Sequence, residues 1–173
     1  MTDFLALAIS FAYAALLLLT AETLRRRFRF SVEFTRKFVH IGAGVAVFGF
    51  VALFKSWQAA LIPPLAFIAL NFLSYRTGAF FGIETGEKGN RGTIYFPLAF
   101  AILIPPLWSR PDILCAAMMP LTFGDSLAAI LGKRFGAHEF TLFGQTRSVE
   151  GSLAMFVFSF LATLAALTLF GQS

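Results

Sequence analysis

Apolar residues in this chain gather into long runs rather than alternating or forming narrow stripes. Six runs can be marked, at residues 4–23, 38–54, 57–75, 94–108, 113–131 and 151–170. A helix crosses the hydrocarbon core of a bilayer in about 20 residues, and tilt extends the workable range to about 17 to 25. The fourth run, of 15 residues, needs help from its flanks; the others are long enough alone. The pattern therefore predicts an all-α, polytopic membrane bundle of about six transmembrane helices. It is expected to form a single integral membrane domain over 1–173, with polar loops at about 24–37, 76–93 and 132–150. Pro63 with Pro64, Pro97, and Pro105 with Pro106 should kink or shorten the third and fourth spans, because each removes a helical N–H and crowds the preceding turn.

Composition agrees with this pattern and narrows it. Hydrophobic residues make up 58% of the chain and charged ones 13%, and mean hydropathy is +0.77, far from soluble domains. The lone cysteine, Cys115, excludes an internal disulfide and a cysteine metal cluster. The first run carries Asp3 before it and Arg25, Arg26 and Arg27 after it, which predicts a retained span rather than a cleaved signal. The formal charge of +5 is explained by topology, so no nucleic-acid partner is expected. Twelve of the 14 Lys and Arg residues fall in the three polar loops, leaving Lys55 and Arg110 on the other side. The positive-inside rule then puts those loops in the cytoplasm and both termini outside it, as in a prokaryotic inner membrane. Any aqueous chemistry is expected on that cytoplasmic face.

Four groups of polar residues exceed what apolar packing requires. In EFTRKFVH, helical spacing puts Glu33, Arg36, Lys37 and His40 on one face. An i,i+4 ion pair and snorkelling would account for Arg36 and Lys37 alone. His40 lies inside the apolar run, where an ionisable group is costly and is usually kept for function. In GEKGNRGTIYFP, Gly86, Gly89 and Gly92 interleave with Lys88, Asn90 and Arg91, which would let backbone N–H groups and cations surround a phosphate. The spacing is not that of a Walker loop, and a basic turn would read the same way.

The third group, TFGDSLAAILGKRFG, places Asp125 seven residues before Gly132, or roughly 10 Å of helix, inside an apolar run. A carboxylate there should pair with a cation, hold a metal or stay protonated; Lys133 and Arg134 follow at the interface. The fourth, GQTRSVEGS, ends in Glu150 at a helix start, where it would also suit the macrodipole, with Ser148 or Ser152 as a cap. Together the groups supply a carboxylate, several cations and glycine-rich backbone on one membrane face, the equipment of phosphoryl transfer.

At these residues the chain resembles the CTP-dependent lipid kinases, a family that includes dolichol kinase, phytol kinase and yeast-type diacylglycerol kinase and is akin to phosphatidate cytidylyltransferases. The resemblance lies in Glu33, Arg36, Lys37 and His40; in Arg91, Gly92, Thr93, Tyr95, Phe96 and Pro97; in Gly124, Asp125, Ala128 and Gly132; and in Arg147, Ser148, Glu150, Gly151 and Ser152. It runs over most of the chain, from about residue 33 to 156. Arg147 stands where the family usually has lysine, which keeps the charge but changes the donor geometry. The chain is also compact beside eukaryotic members, which suggests a catalytic core, one that could act as a homodimer.

The resemblance implies transfer of the γ-phosphoryl group of CTP, or another nucleoside triphosphate, to a membrane lipid alcohol, with Mg²⁺. The expected acceptors are phytol, farnesol, a polyprenol or diacylglycerol. Asp125 is expected to ligate the metal, and Arg36, Lys37, Lys88, Arg91, Gly92, Thr93, Lys133, Arg147, Ser148 and Glu150 to form the nucleotide and phosphate site. Glu33 or His40 is expected to orient or deprotonate the alcohol, with Lys37 beside them. The rivals are a cytidylyltransferase acting on a lipid phosphate and a small membrane transporter. The transporter prefers polar groups near the midplane, whereas His40 and Asp125 both fall toward one side.

Overall fold

The structure is a computed structural model and describes residues 1–77 and 92–170, with side chains described for 1–73 and 94–170. It is a helical, polytopic membrane protein. The described chain divides into two compact units, Met1–Arg110 and Pro111–Ser173. The second unit is described through Phe170.

In the first unit α1 (Asp3–Phe28) and α2 (Val32–Leu53) are long and apolar enough to cross a membrane. Both begin at a hydroxyl cap: Thr2 accepts from Leu5 N–H at 3.4 Å and Ser31 from Phe34 N–H at 3.2 Å, satisfying amides that a helix start leaves unpaired. Helix α1 ends at Arg29 in the left-handed region, φ 57°. Asp3 then ties the start of α1 to the end of α2, accepting from Lys55 N–H and Ser56 O–H, both at 2.7 Å. The Tyr13 hydroxyl donates to Gly42 O at 2.8 Å, joining the same two helices halfway along.

The third apolar run is broken as its prolines require. A short α3 (Trp57–Ala60) precedes α4 (Ile62–Thr77), so Pro63 and Pro64 fall in the first turn of a new helix, where a missing N–H costs nothing. Helix α5 (Gly92–Leu107) carries Pro97, Pro105 and Pro106 internally and has only 16 residues. The apolar stretches of α3–α4 and α5 are shorter than the spans that flank them.

The second unit comprises α6 (Pro111–Met119), α7 (Asp125–Phe135) and α8 (Val149–Phe170). Between α6 and α7 lies a π-helical turn, Pro120–Gly124, so 111–135 is one continuous helical stretch of 25 residues. Pro120 is the cause: it cannot donate to the preceding turn and its ring crowds a carbonyl there, and widening the turn relieves both. The Asp125 N–H consequently bonds Pro120 O, five residues back.

Between α7 and α8 stands a hairpin of β1 (Glu139–Leu142) and β2 (Gln145–Ser148), antiparallel with Phe140 opposite Arg147 and Leu142 opposite Gln145. Its two-residue turn has Phe143 at φ 49° and Gly144 at φ 74°, the positive values that a type I′ hairpin turn demands. Phe143 is 96% exposed. The loop expected over 132–150 is therefore partly helix and partly sheet.

Apolar side chains exposed on α1 and α8, among them Phe4, Leu16, Leu19, Phe156, Phe160 and Leu169, are what lipid-facing helices display. The buried set includes Val47, Phe50, Phe96 and Ile104 in the first unit and Leu114, Cys115, Met118 and Ala154 in the second.

Candidate functional site

The four polar elements meet in pairs, one pair in each unit. In the first unit, the face predicted for EFTRKFVH forms at the start of α2. Lys37 is buried at 6% exposure, while Glu33, Arg36 and His40 are half-buried. The His40 ring lies 3.8 Å from the Phe96 ring, centroid to centroid, at 42°. Phe96 belongs to the second element, so its aromatic step meets the histidine of the first. From there rings continue along the interior: Phe96 to Phe100 at 5.5 Å, Phe100 to Phe50 at 6.0 Å and Phe50 to Phe54 at 5.5 Å, each within the range of favourable aromatic pairing.

Beside this row is a cavity of about 120 Å³, open to its surroundings, between α1, α2, α4 and α5. Arg36, His40 and Asn71 give it polar groups; Leu17, Val39, Ala43, Ala46, Phe67 and Phe100 are among its apolar walls. The Arg36 Nε is buried and has no hydrogen-bond partner among the described residues. A buried unsatisfied donor is expensive, and one beside a cavity marks where a ligand oxygen would be held. Asn71 was not among the sequence candidates. Its signal was an amide inside an apolar run, where polar groups are kept for a reason.

In the second unit, the third and fourth elements meet where α7 crosses α8. A methyl group on Gly132 would fall 3.1 Å from Gly151 Cα, and one on Gly151 would fall 3.1 Å from Gly132 Cα and 3.2 Å from Ala128 O. Backbone thus lies against backbone, and that approach explains Gly132 and Gly151. Gly151→Ala should therefore cost about 1–3 kcal/mol through overpacking, seen as a lowered thermal midpoint in detergent; an unchanged midpoint would mean the crossing is looser than described. Ser148 caps α8, its Oγ accepting from Gly151 N–H at 3.1 Å.

Glu150 accepts from His138, whose Nδ1 is 2.7 Å from Oε1 and whose backbone N–H is 3.3 Å from Oε2, and this clamps the base of the hairpin to the start of α8. Arg147 is exposed and donates to Gln145 Oε1 at 2.7 Å. Asp125 begins α7 directly after the π turn and is half-buried, with Thr122 behind it donating to Met118 O at 2.7 Å. Ser126, fully buried, has an Oγ without a hydrogen-bond partner among the described residues. Lys133 is exposed in the last turn of α7.

Lys88 and Arg91 lie outside the described residues, and Gly92 and Thr93 open α5 without a described side chain at Thr93. Among the described residues no three His, Cys, Asp or Glu side chains gather to hold a metal. Mg²⁺ held together with a nucleotide would need only one or two carboxylates, with phosphates and water completing its shell.

Among characterised proteins the chain is similar to phytol kinase of Synechocystis sp., with 32% identity over 95% of this chain and 71% of the relative. It is also similar to a probable chloroplastic phytol kinase of Triticum aestivum, at 29% identity over 92% of this chain and 56% of the relative. Farnesol kinase of Arabidopsis thaliana, a chloroplastic protein, is 27% identical over 83% of this chain and 50% of its own length. The chain thus spans about half the length of these chloroplastic relatives. No family model matches it, and no solved structure does.

Proposed function

This chain belongs to the family of phytol and farnesol kinases, and from that we propose that it transfers the γ-phosphoryl group of a nucleoside triphosphate, CTP foremost, to the hydroxyl of an isoprenoid alcohol. The observation that carries the reading is the first unit's cavity, apolar along its walls and furnished with Arg36, His40 and Asn71. A lipid alcohol has the matching form, one polar atom on an apolar tail.

In the reaction, the alcohol oxygen bonds to the γ-phosphorus, the bond from that phosphorus to the β-phosphate oxygen breaks, and the nucleoside diphosphate leaves. His40 takes the alcohol proton, a task suited to imidazole near neutral pH. His40 lines the cavity and Glu33 does not, which favours the histidine of the two candidates. Arg36 and Lys37, with Lys88, Arg91, Lys133 and Arg147, would hold the phosphates, since transfer through a loose transition state depends on position and charge neutralisation. Asp125 would hold Mg²⁺, which would supply neutralisation of the phosphate charge when bound. The site would face the cytoplasm.

The test is incubation of purified protein with γ-labelled CTP, Mg²⁺ and phytol, farnesol, a polyprenol or diacylglycerol. Label entering the organic phase with phytol or farnesol is the expected result. Release of pyrophosphate with cytidine joined to a lipid phosphate would instead identify a cytidylyltransferase, and no transfer to any lipid would overturn the kinase reading.

A further inference from the structure

We propose that Ala43 and Ala46 set the length of tail the cavity accepts, making the first unit a measured slot for a single isoprenoid chain; this rests on the kinase reading above. The lining residues of α2 are Arg36, Val39, His40, Ala43, Ala46 and Phe50, whose spacing puts them on one helix face. Along that face the side chains change in kind. Charge and imidazole come first, then a stretch where only methyl groups stand, then the buried ring of Phe50. From Arg36 to Phe50 the helix rises about 21 Å, with Ala43 at about 10 Å and Ala46 at about 15 Å.

The walls on α4 and α5 follow the same order, while α1 adds the Ser10 hydroxyl beyond Tyr13. Asn71 of α4 and Phe96 of α5 belong to the polar end, Phe96 through its contact with His40, and Phe100 belongs to the far end through its contact with Phe50. Tyr13 on α1 is already engaged with Gly42 O, so of the α1 lining residues only Ser10 adds a hydroxyl to an otherwise apolar flank of Ala14 and Leu17.

An alcohol anchored where the Arg36 Nε lacks a partner among the described residues would thus lay its tail past two alanines toward Phe50. One leaflet of hydrocarbon is about 15 Å deep, so a slot of this rise suits a tail of the farnesyl-to-phytyl class. A long polyprenol would overrun it. Ala43 and Ala46 are both half-buried, as residues facing an open cavity are, and a larger side chain there would project into the tail's path.

The experiment compares kcat/KM for geraniol, farnesol and phytol, an ascending series, in the wild type, Ala46→Leu and Ala43→Leu. The phytol-to-geraniol ratio should fall about 10- to 200-fold, the discrimination an apolar pocket can reach, and Ala43→Leu should reject farnesol more strongly than Ala46→Leu does. Equal losses on all three alcohols, or use of diacylglycerol by the wild type as readily as phytol, would overturn the slot. A phytol analogue with a photoreactive group at the tail end gives a second reading on wild-type protein without nucleotide. Labelling around Phe50, Pro63 and Phe67 is expected, and labelling confined to other segments would overturn it. Failure of the kinase reading would show differently, as tail labelling in the slot with no phosphoryl transfer to any alcohol.

Discussion

Asp125→Asn should abolish phosphoryl transfer while the protein still inserts and folds. The substitution keeps the side chain's size and one oxygen, so α7 and the π turn before it have no reason to change. What it removes is the negative charge, and Mg²⁺ is a hard cation that seeks carboxylate oxygen. Removing one well-placed electrostatic stabiliser typically costs about 10²–10³ in kcat, and loss of the metal's only assigned carboxylate should reach the upper end of that range or pass it. The decisive comparison is Asp125→Asn against Ser126→Ala, its buried neighbour. The first should lose activity with an unchanged thermal midpoint; the second should keep activity within a few-fold, because the Ser126 Oγ has no hydrogen-bond partner among the described residues to lose. Full activity in Asp125→Asn would remove the metal-ligand role.

The π turn explains why this carboxylate stands where it does. An extra residue in a helical turn rotates everything after it by about 100° relative to what precedes. A face assigned by counting from α6 would therefore misplace Asp125. The turn sits at Pro120–Gly124, directly against Gly124, whose own lack of a side chain admits Ser159 and Met155 O of α8. Proline, glycine and aspartate thus act together, as a local widening that re-aims one ionisable group inside an apolar helix.

What the sequence disclosed divides along physical lines. Spans were legible because lipid demands long apolar runs, and the described helices follow the marked runs closely, including a break of the third at its prolines. The polar elements were legible because His40 and Asp125 are out of place among apolar neighbours. The hairpin was not, since its strands EFTL and QTRS lack a buried face to impose alternation, and its turn uses Phe143 where asparagine or aspartate would have signalled it. The cavity was also hidden, because four helices each contribute a few ordinary residues and only their packing makes a space. Ser148 and Glu150 have structural work that the sequence left open as an alternative. Both were phosphate candidates by position, and both are seen engaged in capping α8 and clamping the hairpin.

His40→Phe should lower kcat by about 10²–10⁴, the usual worth of a positioned general base, with little change in stability. Phenylalanine preserves the stack on Phe96, which at 3.8 Å makes His40 part of the aromatic row as well as part of the cavity wall. A histidine kept only for ring packing on Phe96 would tolerate that replacement. A proton acceptor would not, because the new ring has the shape but no basic nitrogen. His40→Ala separates the two roles from the other direction: it vacates space against Phe96, and added imidazole should restore part of the rate if a base is what is missing. Glu33→Gln serves as the counterpart, since Glu33 lies in the first turn of α2 and does not line the cavity. It should lose less than about tenfold, less than a positioned base contributes. A reversed order, with Glu33→Gln inactive and His40→Phe fully active, would transfer the proton-accepting role to the carboxylate and leave His40 as packing.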